Sequence, residues 1–146
     1  MSCGTLTLAG GVTETCSRGD AAYAVNQDYS LRGTTKDGRP YYRGVDKPTA
    51  YLYFTTNCGG LGYTGWGVFE LPPSLTVTSN TNGESGTCSA AAIVFNTATT
   101  VPPTIQWLNY CGAYPMTTFN AANYRTGTQI TATTQPPCSP PGAAQS

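Results

Sequence analysis

The residues in this chain that could do chemistry are few and scattered. Seven carboxylates are present, Glu14, Asp20, Asp28, Asp37, Asp46, Glu70 and Glu84, and there is no histidine. The missing imidazole removes Ser-His-Asp and Cys-His catalysis, His-ligated zinc and histidine pH switching. Glycoside hydrolysis would remain open to two carboxylates facing each other about 5–10 Å apart. Asp37 is accounted for by the turn Lys36-Asp37-Gly38-Arg39 and Asp46 by a polar loop. Glu70 is left, and it reads as the solvent-facing position of an alternating strand. No catalytic residue is assigned, and the protein is expected not to be an enzyme. Calcium needs several clustered oxygen ligands, whereas Asp20 and Asp28 stand eight residues apart without company. No metal or other cofactor is expected. Arg18-Gly19-Asp20 spells an integrin-type tripeptide, which three residues match easily by chance.

The six cysteines are Cys3, Cys16, Cys58, Cys88, Cys111 and Cys138. None forms a C-x-x-C pair, so a zinc site would need widely dispersed thiolates. Their even number and wide spacing favour a disulfide framework made in an oxidising compartment. Sequence leaves the connectivity open, and Cys58–Cys88, in the middle of the chain, is the pair expected. The opening Met1-Ser2-Cys3-Gly4 shows no basic n-region and no apolar h-region, so no signal peptide is recognised. Either Met1 opens a piece of a longer secreted protein, or it is a true start. The second case suits a virion protein of a virus that carries its own thiol oxidase.

Ten tyrosines and two tryptophans supply most of the remaining chemistry. Exposed rings can stack on sugars, and Tyr41, Tyr51, Tyr53, Tyr63 and Trp66 are the candidates for such a surface. The competing reading is that tyrosine is a good sheet residue with a polar end. Seven Lys/Arg balance seven Asp/Glu, charged residues are 10% of the chain, and no basic run occurs. Nucleic acid is therefore not an expected partner, since phosphate neutralisation needs clustered cations. No apolar run approaches the roughly 18 residues that span a bilayer, so no membrane insertion is expected.

The elements that must position these residues are short strands. At 146 residues the chain has room for one domain. It is rich in Thr, Tyr, Gly and Pro, and no stretch sustains a helical period. Alternation predicts strands at Cys3–Leu8, Val12–Cys16, Asp28–Arg32, Pro40–Arg43, Ala50–Phe54, Trp66–Leu71, Ala90–Phe95, Thr104–Tyr110, Met116–Phe119 and Gln129–Thr134. Asp37-Gly38 suits a tight hairpin, and Pro40 belongs at the start of a strand or on an edge. Cys58–Gly65 reads as a flexible loop and Ser79–Ser89 as a surface loop. Leu52, Phe54, Trp66, Val68, Ile93, Phe95, Ile105 and Trp107 are the expected core, with Trp107 more buried than Trp66. Arg39 is expected to lie over Tyr41, Tyr42 or Trp66 by cation–π contact. The expected architecture is all-β: a single antiparallel β-sandwich or barrel-like domain over 1–132, disulfide-stapled. An extended Pro-rich C-terminal arm over 133–146 follows.

The run Asp28-Tyr-Ser-Leu-Arg-Gly-Thr-Thr-Lys-Asp-Gly-Arg-Pro-Tyr-Tyr42 carries a resemblance, together with Tyr51-Leu-Tyr-Phe54, Cys58 and Trp66-Gly-Val-Phe69. Cys3–Leu8, Cys88, Pro102-Pro103, Trp107 and Tyr110-Cys111 extend it over roughly residues 3–119. It resembles a repeated cysteine-containing β-module of secreted and cell-surface proteins in marine algae, other protists and some invertebrates. The resemblance implies an extracellular, cysteine-stapled β-module and brings no reaction or ligand with it. Gly67, Glu70 and the Cys138 arm depart from that pattern. The expected function is a structural or adhesive surface module. It would assemble with copies of itself or other structural subunits into an extracellular filament, wall layer or virion shell. The alternative is a lectin-like module that binds glycans through exposed aromatics.

Overall fold

A computed structural model of the chain describes residues 4–9, 25–76, 88, 90–95, 98–110, 124–126 and 129–133. These form nine β-strands: β1 (Thr5–Ala9), β2 (Asp28–Thr34), β3 (Pro40–Gly44), β4 (Tyr51–Cys58), β5 (Tyr63–Phe69), β6 (Ala90–Phe95), β7 (Leu108–Tyr110), β8 (Tyr124–Thr126) and β9 (Gln129–Thr133). All nine belong to one antiparallel sheet in the order β8-β7-β6-β5-β4-β3-β2-β1-β9. From β1 to β8 each strand pairs with the next, and β9 then returns to β1.

That order forces the sheet to curl. Strands lie about 4.8 Å apart, so a flat sheet of this size would hold its outermost strands nearly 40 Å from each other. Thr126 ends β8 and Gln129 begins β9, and three residue steps span no more than about 11 Å. The two ends of the sheet must therefore approach one another. The result is a curled half-barrel, and the described residues hold no second stacked sheet.

The period-2 alternation of the strands divides their side chains between two faces. Leu6, Tyr29, Tyr42, Leu52, Trp66 and Ile130 share the inner cluster, drawn from strands all round the curl. Tyr53, Phe69, Ile93, Tyr110 and Tyr124 form a second cluster on the outer face of β4–β8, and Cys58 and Cys88 lie in it. Cys58 and Cys88 form a disulfide, as the sequence leads one to expect. Cys3, Cys16, Cys111 and Cys138 lie outside the described residues, as do the Val12–Cys16 and Met116–Phe119 strands and all of the Pro-rich arm after Thr133. Thr133 itself belongs to β9.

Several expectations need correction. Cys58–Gly65 is half strand: the connection is only residues 59–62, turned by Gly59, Gly60 and Gly62 at positive φ. Thr104–Tyr110 shrinks to Leu108–Tyr110. Thr104 and Ile105 bend instead of pairing, and the Trp107 indole N–H donates to the Pro103 carbonyl (3.1 Å) across that bend. Ile105 is consequently off the ladder and 56% exposed, outside the core. Ile93 packs on the outer cluster because it pairs with Gly67, while Val94 pairs with Trp66 and takes the inner face. The Phe95 side chain is outside the described residues. Trp66 and Trp107 are equally, and wholly, buried. Pro40 does open β3. β8 was not anticipated.

Candidate functional site: the open outer face of β2–β4

On the outer face Tyr53 and the residues of β5–β8 are buried in the second cluster, whereas Ser30, Tyr41, Arg43 and Tyr51 are half-buried and Asp28 and Arg32 exposed. Along β2, Tyr29 and Leu31 point into the inner core, so Ser30 and Arg32 face outward. On β3 Tyr42 goes inward and Tyr41 and Arg43 go out; on β4 Leu52 goes inward and Tyr51 out. The register lines these residues up across the sheet. Thr5 pairs with Ser30, Ser30 with Arg43, and Arg43 with Tyr51. A register shift between Leu31 and Gly33 sets Gly33 opposite Tyr41. A Cβ on Gly33 would meet the Tyr41 ring at 3.2 Å, so the ring lies against the bare backbone of β2. Cross-strand neighbours are about 5 Å apart and diagonal ones about 7–8 Å. Arg32, Tyr41, Arg43 and Tyr51 therefore form one compact cluster.

Arg43 is held in a fixed orientation. Its Nε donates to the Pro48 carbonyl (2.7 Å), and its guanidinium lies 5.2 Å from the centre of the Tyr51 ring. Asp28 shares this face, and its Oδ1 accepts the Thr7 hydroxyl (2.6 Å). The turn that carries Pro48 is pinned from below by Gln27, whose Oε1 accepts the backbone N–H groups of Asp46 (3.0 Å) and Lys47 (2.9 Å). Gly44 makes this approach possible, because a Cβ there would lie 2.4 Å from the Lys47 carbonyl oxygen and 2.5 Å from the Gln27 amide nitrogen.

The five ring candidates separate by burial. Tyr53 and Trp66 are wholly buried and present no face to a sugar, a correction to the sequence reading. The Tyr53 hydroxyl donates to the Leu71 carbonyl (3.2 Å) and the Trp66 indole to the Thr99 hydroxyl (3.0 Å), so both polar ends are used inside the fold. Tyr41 and Tyr51 are half-buried and close together; Tyr63 is exposed at the start of β5, away from them. Sequence reasoning missed Ser30, Arg32 and Arg43 as companions of Tyr41 and Tyr51. Alternation within β2 and β3 could have put them on one face, but the bulge at Gly33 has no sequence mark.

Arg39 serves a different purpose. Its guanidinium lies 3.9 Å from the Phe54 ring centre, where Tyr41, Tyr42 or Trp66 had been expected. It forms an ion pair with Asp37 and donates to the carbonyls of Thr99 (2.9 Å) and Ala98 (3.3 Å). The β2–β3 hairpin is thereby fastened to the segment after β6. Burial raises the Asp37 carboxyl, but hydrogen bonds from the Thr35 hydroxyl and the Arg39 backbone and side chain outweigh it and hold the group below its ordinary value.

Glu70 is exposed just beyond the end of β5. Glu14, Asp20 and Glu84, and with them Arg18-Gly19-Asp20, are outside the described residues. No described helix is long and apolar enough to cross a membrane. Comparison with protein-family models, with curated proteins and with solved structures found no match.

Proposed function

We propose that the protein is a non-enzymatic structural module that holds copies of itself or other structural subunits. Its setting would be an extracellular filament, a wall layer or a virion shell. The observation that carries this reading is the placement of large aliphatic side chains in water at both ends of the sheet, while both tryptophans are buried. β3 and β5 leave the sheet at one end, where Val45 and Leu71 are exposed, and Leu75 follows on the same segment. β5 begins and β6 finishes at the other end, which carries exposed Leu61 and, on the connection to β7, Ile105. Exposed apolar groups that lie together mark contact surfaces, and Val45 and Leu71, at the same end of the sheet, support one here. β8 and β9, the outer strands among those described, offer edges for strand addition. The Cys58–Cys88 bridge supports an oxidising compartment, and a neutral chain limits repulsion between copies.

Sedimentation of the oxidised full chain tests this. The wild type is expected to form multimers, and the Leu71→Ser/Leu75→Ser variant is expected to sediment as a monomer with an unchanged circular dichroism spectrum. A wild type that stays monomeric at high concentration would overturn the reading.

A second reading, carbohydrate binding, draws support from a separate observation. Tyr41 and Tyr51 lie half-exposed on one outer face, and Ser30 shares that face on the far side of Arg43. Rings flanked by hydrogen-bonding groups suit a saccharide.

A further inference from the structure

We infer that the outer face of β2–β4 binds an acidic polysaccharide, one that carries sulfate or carboxylate groups, with Arg43 and Arg32 taking the anionic groups and Tyr41 and Tyr51 receiving the sugar rings. This rests on the carbohydrate reading and not on the assembly reading, and it names the class of sugar.

Arg43 carries most of the argument. The Nε bond to Pro48 and the contact with Tyr51 fix the plane of its guanidinium. The ion pair with a carboxylate that usually holds such a group is missing among the described residues, where the one ion pair is Arg39 with Asp37. The terminal nitrogens thus keep donors in the fork geometry that matches a sulfate or carboxylate. Arg32, exposed on the neighbouring strand, makes no hydrogen bond or ion pair among the described residues. It stands at the register shift, two residues along β2 from Ser30, which is the partner of Arg43, so two cations face one short stretch of ligand. Asp28, the carboxylate on the same face, is engaged by Thr7 and lies towards the strand end.

The flanking groups select sugar over other polyanions. Two cations in a chain of zero net charge are too few for a phosphate backbone, whose affinity grows with every phosphate neutralised. Tyr41, whose ring lies against Gly33, and Tyr51, beside Arg43, are both half-buried and leave part of their ring surface open on this face. Ser30, between β1 and Arg43 in the same row, adds a hydroxyl.

Heteronuclear NMR titration of the oxidised full chain tests the proposal with four probes: a sulfated dextran oligosaccharide, the same oligosaccharide unsulfated, inorganic sulfate, and a single-stranded oligonucleotide. The sulfated sugar is expected to shift the backbone signals of Ser30, Arg32, Tyr41, Arg43 and Tyr51 and to bind more weakly as salt rises. Arg43→Gln is expected to weaken binding about tenfold or more and Arg32→Gln about threefold to tenfold, both leaving the rest of the spectrum in place. Binding of both sugars with equal strength would overturn the acidic specificity and leave the carbohydrate reading standing. Failure of both sugars would end that reading as well. Inorganic sulfate binding as tightly as the sulfated sugar, or the oligonucleotide binding more tightly at the same residues, would overturn the assignment to a saccharide.

Discussion

Tyr29 and Tyr42 are neighbours in the inner core, both wholly buried, and their hydroxyls have opposite fates. Tyr29 donates to the Val25 carbonyl at 2.7 Å, while the Tyr42 hydroxyl finds no partner among the described residues. A buried polar group without a partner costs about 1–3 kcal/mol of desolvation, and a satisfied one contributes about 1 kcal/mol. Tyr42→Phe is therefore expected to leave stability unchanged or raise it by up to about 1 kcal/mol. Tyr29→Phe, which deprives the Val25 carbonyl of its donor, is expected to lower it by about 1 kcal/mol or more. Urea unfolding of the two variants measures the difference, and equal destabilisation by both would contradict this account. The chemistry of sequence and structure is the same at these two positions; only the backbone carbonyl within reach of one ring separates them, and that is not visible from residue type.

At the level of elements, the Cys58–Cys88 bridge joins the end of β4 to the residue two before β6, closing a loop with a sequence separation of 30. A cross-link over such a loop restricts the unfolded chain by about 3–4 kcal/mol in the chain-entropy description. Replacing both cysteines by alanine should cost about that much in thermal or denaturant unfolding. An unchanged unfolding midpoint would show that the bridge adds nothing to the fold. Strand identity was readable where alternation is strong and turn residues flank it: β2, β3 and the first half of β4 stand where Asp28–Arg32, Pro40–Arg43 and Ala50–Phe54 put them. Legibility failed where parity matters. Ala90-Ala-Ala-Ile-Val-Phe95 is apolar throughout, so nothing in it says which alternate residues face inward, and Ile93 was placed with Trp66 when it pairs with Gly67. β8, three residues long, is too short to alternate, and its existence depends on β7 alone. The same limit governed the candidate site. Tyr41 and Tyr51 stand out by type, whereas Arg43, on the face of Tyr41 by alternation, meets Tyr51 only through the β3–β4 register.

For the whole molecule, the buried phenols set an alkaline limit. Burial pushes Tyr42 and Tyr53 up, and burial with the neighbouring Tyr110 does the same to Tyr124. A phenol raised in the folded state favours folding fully below its unfolded value of about 10, and that contribution is lost as the pH climbs above it. The protein is therefore expected to unfold cooperatively above about pH 10. Tyrosinate absorbance should then rise in two stages, the later one together with loss of the sheet signal in circular dichroism. Complete ionisation of all ten tyrosines with the sheet intact would refute it.

Because β9 both follows β8 and completes β1, β1 has one flank without its described partner until Gln129–Thr133 has been made. During synthesis that flank is a vulnerable seam, open to mispairing with a neighbouring nascent chain until Gln129–Thr133 emerges and occupies it. Long-range pairing of this kind is slow to form, so among the described strands the β1–β9 ladder is the pairing most exposed to error.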